Sequence, residues 1–289
     1  MKAVCIRIGM FVALALLGAC TGAPSVSPEA RETAQVHVAQ GKVLFEEKCR
    51  TVAGEKIYRK VENVEGIVLL KVRPERGDRE LSDRMWPGAA FARESTADWY
   101  ITSFLGYEHS SSQKGEPVTA QRRGYITSEF RPDNPSNLPG YRFVDVIDEK
   151  DGKRYRITGS NKIVGRKDIH APNVKLELDR NPNYDLNVYR WTLDRVPAPN
   201  PSPRYGVTFE DHVLPEERML GLASSTVKVL DLQTGEVLGE LIRYVWSPGG
   251  PSRTNPVPWL TAYRCPDHAV GTGEATRKFV DQILIPAKE

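Results

Sequence analysis

Cysteine is scarce in this chain: four among 289 residues, none in a C-x-x-C-H arrangement. Gly41 to Cys49 (GKVLFEEKC) opens like the first helix of a c-type cytochrome, but Arg50-Thr51-Val52-Ala53 follows, so covalent haem attachment is excluded. Charge of one sign is never concentrated. The 40 Lys+Arg and 37 Asp+Glu are interspersed, which argues against a nucleic-acid surface or a polybasic membrane patch. Beyond the first twenty residues no apolar run approaches the roughly 20 residues of a membrane-spanning helix. The histidines His37, His109, His170, His212 and His268 never form H-x-H, H-x-x-x-H or H-E-x-x-H, which removes the common zinc patterns. G-x-S-x-G and the P-loop are absent. The Asp145–Asp151 cluster lacks the glycine and ligand spacing of an EF-hand. No cofactor is expected.

Some partial patterns remain. Ser225-Thr226-Val227-Lys228 and Ser111-Ser112-Gln113-Lys114 match S-x-x-K, but the S-D-N and K-T-G partners of that chemistry do not occur. Gly271-Thr272-Gly273-Glu274-Ala275-Thr276 resembles part of a G-x-G-x-x-G loop, yet it lies too near the end for a βαβ unit, and helix capping is the plainer role. Glu210-Asp211-His212 is the one local acidic-histidine triplet. On a loop it could assist proton transfer or bind a metal, and its bland reading is a solvated turn. Trp86, Trp99, Trp191, Trp246 and Trp259 could line a recognition site, although tryptophan more often serves packing.

The N-terminus has three zones. Lys2 and Arg7 are basic, Ile8 to Leu17 is apolar and of signal-peptide length, and Leu17-Gly18-Ala19-Cys20 follows. Small residues before a cysteine at the end of the apolar run resemble the bacterial lipobox. That resemblance implies export, cleavage before Cys20, and lipid on its sulfur and new amine. Several acyl chains would anchor the protein stably in a membrane. Thr21 rather than aspartate after Cys20 points to the outer membrane, with the folded part facing the periplasm. The expected organisation is a signal peptide over 1–19, a flexible tether over 20–35, and a single β-rich domain over 36–289. The tether reading rests on the Ser-, Pro- and Ala-rich Thr21–Ala34, which has too little apolar surface to offset ordering entropy. Without Cys5 and Cys20, the cysteines left in an oxidising compartment are Cys49 and Cys265. A disulfide between them is the simplest outcome, and two free thiols are the alternative.

Along the domain, Val38 to Ala53 predicts a helix, and Lys56–Val61 and Gly66–Val72 predict strands, the second apolar enough to be central. Arg73 to Leu105 reads as an excursion with a helical turn or two, and the polar Glu108–Gln121 as a loop. Tyr141–Asp148 and Lys153–Ile157 form a hairpin, and Val174–Asp179 and Val188–Leu193 read as two more strands. Pro197–Pro203 is extended and rigid, the best internal boundary of the chain or else a surface crossing. Thr226–Trp246 is a second hairpin turning at Thr234-Gly235. Glu274–Leu284 reads as an amphipathic helix. The fold class is α+β, with a dominant antiparallel β-sheet and short N-terminal and C-terminal helices.

Phe45-x3-Cys49, Gly54-x-x-Ile57-Tyr58-x-x-Val61-x-x-Val64-Glu65-Gly66, the Val229-x-Asp231-x-x-Thr234-Gly235-Glu236-Val237 hairpin and the Trp259…Cys265-Pro266 close resemble a group of uncharacterised proteobacterial lipoproteins. These motifs are structural, and the resemblance implies no activity. The expected function is a non-enzymatic, lipid-anchored envelope protein that binds another protein, as an immunity protein or a component of an envelope complex. The competing expectation is an envelope hydrolase using scattered residues such as Asp211 and His212.

Overall fold

A computed structural model describes residues 27–109, 125–128, 140–267 and 273–287. The described residues from His37 onward belong to one compact unit. Helix α1 spans Pro28–Thr51. It begins with proline, whose missing N–H costs nothing in a first turn, and ends with Lys48 and Arg50 against the negative end of the helix dipole. This corrects the expectation of a short helix: the stretch from Pro28 to Ala34, read as part of a flexible tether, is helical. Low hydrophobicity removes a reason to pack, but Ala, Glu, Arg and Gln are good helix formers.

Three short strands follow: β1 (Gly54–Ile57), β2 (Val61–Val64) and β3 (Gly66–Leu69). The excursion contains helix α2 (Asp78–Ser82), a 3-10 turn at Pro87–Phe91 and helix α3 (Ala97–Phe104). Strands β4 (Gly106–His109) and β5 (Tyr125–Ser128) pair with each other. Strand β4 takes in the first residues of the expected Glu108–Gln121 loop, and the rest of that loop, with Ser111 and Lys114, lies outside the described residues. Strands β6 (Phe143–Ile147) and β7 (Arg154–Arg166) form the expected first hairpin. Helix α4 (Pro172–Arg180) occupies the stretch expected as a strand at Val174–Asp179. The alternation Val174, Leu176, Leu178 imitates a strand, but Pro172 starts a helix in which Val174 is buried and Leu176 exposed.

Strand β8 (Asn187–Pro197), strand β9 (Tyr205–His212), helix α5 (Pro215–Met219), and strands β10 (Leu222–Asp231) and β11 (Val237–Trp246) follow. The second hairpin turns as expected, with Gly235 at φ +74°. Helix α6 (Pro258–Thr261), strand β12 (Tyr263–Cys265), helix α7 (Ala275–Val280) and strand β13 (Leu284–Pro286) complete the chain. The expected helix over Glu274–Leu284 therefore stops early, and its last residue instead begins a parallel ladder with β2.

The fold is α+β around one large sheet, in the order β1-β11-β10-β9-β3-β6-β7-β8, with β12 also on β11. Most neighbours are antiparallel, while β3 runs parallel to both β6 and β9. All four β3 residues are buried, as the apolar run predicts for a central strand. One face of the sheet packs against α2, the 3-10 turn, α3, α6 and α7 through Leu81, Phe91, Phe104, Trp259 and Phe279. On the other face Leu44 and Phe45 of α1 cover Leu222, Tyr244 and Trp246. Gly41 makes that approach possible, since a Cβ there would lie 2.3 Å from the Leu220 carbonyl oxygen. Cys49 and Cys265 stand at bonding distance, with Cα atoms 5.7 Å apart. No helix among the described residues is long and apolar enough to cross a membrane.

Candidate functional site

Strand register explains why charged groups gather inside this core. Asp211 of β9, Ser225 of β10 and Arg243 of β11 are direct cross-strand partners, so their side chains share one face in one row. The adjoining row on that face is Phe209, Val227 and Leu241, all buried. A polar row is thus embedded in an apolar face. Arg73, from the segment after β3, lies across it. Its Nη1 donates to Asp211 Oδ1 at 2.8 Å and Oδ2 at 3.0 Å, and its Nη2 to Ser225 Oγ at 3.3 Å. Its guanidinium lies 3.6 Å from the Phe209 ring centroid and 4.4 Å from that of Phe91.

Glu94 is 2% exposed, and both its oxygens lie 3.3 Å from the Thr276 backbone N–H in α7. Burial pushes its carboxyl up from the ordinary 4.5 to about 7, against the opposing pull of Arg73, Arg243 and the Thr276 hydrogen bonds. Tyr100, completely buried beside Glu94 and Arg73, is raised by the same loss of solvation. A carboxyl that binds its proton more tightly in the folded state stabilises that state fully below about pH 4.5 and loses this contribution as pH rises through about 7. The urea midpoint is therefore expected to fall between pH 5 and pH 8, and Glu94→Gln should flatten that fall. Identical slopes in the two proteins would place the proton elsewhere.

Arg218 is fully buried. Its Nη2 donates to the His212 carbonyl at 3.1 Å, while Nε and Nη1 have no partner. Its guanidinium sits 5.5 Å from the Trp259 ring centroid, and burial lowers its pKa to about 10.

The triplet Glu210-Asp211-His212 does not converge. It lies in β9, where consecutive side chains point to opposite faces. Asp211 turns inward to Arg73. His212 Nε2 lies 2.9 Å from Thr226 Oγ1, and Glu210 accepts from Lys228 Nζ at 3.2 Å. The same alternation separates Ser225, in the polar row, from Lys228, so the S-x-x-K match in β10 makes no dyad. Asp145 is held by Arg154 and Arg156, and Asp151 accepts from Tyr155 Oη at 2.7 Å. Among the described residues no group of three or more His, Cys, Asp or Glu could hold a metal ion. The tryptophans divide: Trp246 and Trp259 are buried, Trp86 is half-buried and Trp99 is 75% exposed, while the side chain of Trp191 lies outside the described residues. Gly273 closes back on Ser95, whose N–H donates to its carbonyl at 2.8 Å, and Gly271 and Thr272 lie outside the described residues. Cys20 and the proposed signal peptide lie outside them as well. The residues missed by sequence reasoning are Arg73, Glu94 and Arg243. One signal was available for Arg243, a charged residue at an inward position of β11 between Leu241 and Val245.

The outside of the molecule has two features. A shallow open depression of about 530 Å³ is lined by Asp78, Arg79, Ser82, Pro251, Ser252, Arg253 and Pro256. The second is an arm. Strand β6 pairs with β7 only over Arg154–Ile157, whereas β7 and β8 stay paired from Tyr155↔Pro197 out to Arg166↔Asn187. The arm carries α4 at its end, with a bulge between Ile163 and Gly165. Lys167 fastens that end by donating to Tyr184 Oη at 2.9 Å and the Asp185 carbonyl at 2.8 Å. Ile163, Val164, Ile169, Leu176 and Val188 on this arm are exposed. Comparisons with protein-family models, with curated proteins and with solved structures find no match to this chain.

Proposed function

We propose that this chain is a lipid-anchored envelope protein, held to the outer membrane through Cys20, that binds another protein by means of the β7–α4–β8 arm. The observation that carries the reading is the exposure of Ile163, Val164 and Val188 on a ribbon extending past the main sheet. Clustered exposed aliphatic side chains favour a covering surface. Arg166 and Arg190 flank the apolar residues, while Lys162 is paired with Asp194 at 2.8 Å, so the partner suited to the arm has an apolar centre with carboxylates beside it. Immunity protein and envelope-complex component are both versions of this reading. A hydrolase built on Asp211 and His212 is disfavoured, because β9 turns those two side chains to opposite faces.

A photo-crosslinking amino acid at position 163, in cells, is expected to give one discrete protein adduct. The same group at Thr234, on the exposed turn of the β10–β11 hairpin, should not. Val164→Ser with Val188→Ser should remove the adduct while leaving the thermal midpoint unchanged, and Cys20→Ala should deplete both the adduct and the incorporated fatty acid. Equal adducts from both positions, or adducts to lipid alone, would overturn the arm as a protein contact.

A further inference from the structure

Arg243 is 5% exposed and makes no hydrogen bond or ion pair among the described residues; its Nε is completely buried without a partner. Its guanidinium rests 4.6 Å from the Phe91 ring centroid, and Arg73 shares that ring at 4.4 Å. Arg73 also has an unpartnered Nε. From the side of β12, Arg264 Nη2 donates to the Ala262 carbonyl at 3.0 Å, and Arg93 Nε donates to the Leu260 carbonyl at 2.6 Å. These carbonyls satisfy N–H groups but neutralise no charge. Arg264 and Arg73 each oppose the charge on Arg243, and Arg93 opposes that on Arg264.

The acids nearby do not balance these cations. Asp211 is spent on Arg73. Glu94 is the acid that attracts Arg243 most, yet burial leaves it partly protonated near neutral pH. Asp267 attracts both Arg243 and Arg264 but is exposed and makes no ion pair with either. A guanidinium withdrawn from water without an acceptor or counter-charge is among the costliest arrangements a core can hold. Water could supply the acceptor but not the charge. A small anion supplies both, and a guanidinium presents planar pairs of N–H donors that match the oxygens of an oxyanion.

We propose that Arg243, assisted by Arg264, binds one small free oxyanion of the phosphate or sulfate class. The burial of Arg243 limits the ligand to a small ion and disfavours a phosphate carried on a macromolecule. This site lies on the sheet face of the polar row and stands independently of the arm.

The test is equilibrium dialysis of the full-length protein in detergent against radiolabelled inorganic phosphate at pH 7 and constant ionic strength. Saturable binding of one phosphate per chain, competed by sulfate, is expected, with a rise of roughly 5 to 10 °C in the thermal midpoint at a hundredfold excess over Kd. Arg243→Met should abolish both. Should that variant fail to fold, Arg264→Met, at a half-exposed position, should weaken binding at least tenfold. Arg180→Met, on α4, should bind as the wild type does. Absence of saturable binding to the wild type, or binding unchanged in either Arg243→Met or Arg264→Met, would overturn the site.

Discussion

Asp211→Ala is expected to cost about 3–5 kcal/mol in unfolding free energy, measured by urea denaturation at pH 7. The carboxylate removed is the counter-charge of Arg73, which is 3% exposed and enclosed between the Phe91 and Phe209 rings. Without Asp211, Arg73 keeps one acceptor, Ser225 Oγ, and has no route to water. The converse substitution differs. Arg73→Met leaves Asp211 with 15% of its side chain exposed, so that charge is partly solvated, and methionine fills the space between the two rings. The double variant Arg73→Met/Asp211→Leu removes both charges and restores apolar packing. It is expected to recover about 2 kcal/mol relative to Asp211→Ala. Equal losses in the single and double variants would mean that shape, not the uncompensated charge, carries the cost.

Replacing Cys49 and Cys265 by serine is expected to lower stability by about 2–5 kcal/mol. The bridge closes a sequence separation of 216 residues, for which loop-closure entropy alone gives about 5 kcal/mol as an upper figure. The native side of the balance reduces this, because α1 is held to the sheet by other contacts. Phe45 stacks on Trp246 with centroids 6.1 Å apart, Lys48 pairs with Glu217 at 3.4 Å, and Leu44 and Val52 pack on the same cluster. Reductant added to the wild type should reproduce the loss, and should have no effect on the double serine variant. A loss below about 1 kcal/mol would show that docking of α1, rather than the covalent bond, holds this corner together.

Local patterns carried the fold reading where partners are close in sequence. The run Gly66–Val72 announced a buried strand, and Asp231 to Val237 announced a hairpin because a positive φ was needed at Gly235. Two readings failed where local pattern was ambiguous. Val174–Asp179 alternates like a strand yet follows a helix-starting proline, and Ile283-Leu284 continued a helical stripe while pairing in fact with the distant β2. The polar row was less legible still. Arg73 and Asp211 are 138 residues apart, and neither looks unusual beside its own neighbours. Only folding β3 next to β9 brings them together. Asp211 and His212 gave the opposite lesson, since adjacency in a strand keeps side chains apart.

The pairing of early with late elements also bears on how the chain is made. Strand β1 joins β11 at Gly54↔Ile242, β2 joins β13 at Val61↔Leu284, and Cys49 meets Cys265. The first elements of the domain thus wait for the last: no ribosome-bound fragment can seat β1 in the large sheet before β11 emerges, or form the separate β2–β13 ladder before β13 does. Delayed closure is compatible with the export proposed above, in which the chain stays pliable while it crosses a membrane. It also makes the C-terminal residues a checkpoint: a chain ending before Leu284 leaves β2 without its parallel partner and the Tyr141 hydroxyl without the Leu284 carbonyl that receives it at 2.7 Å.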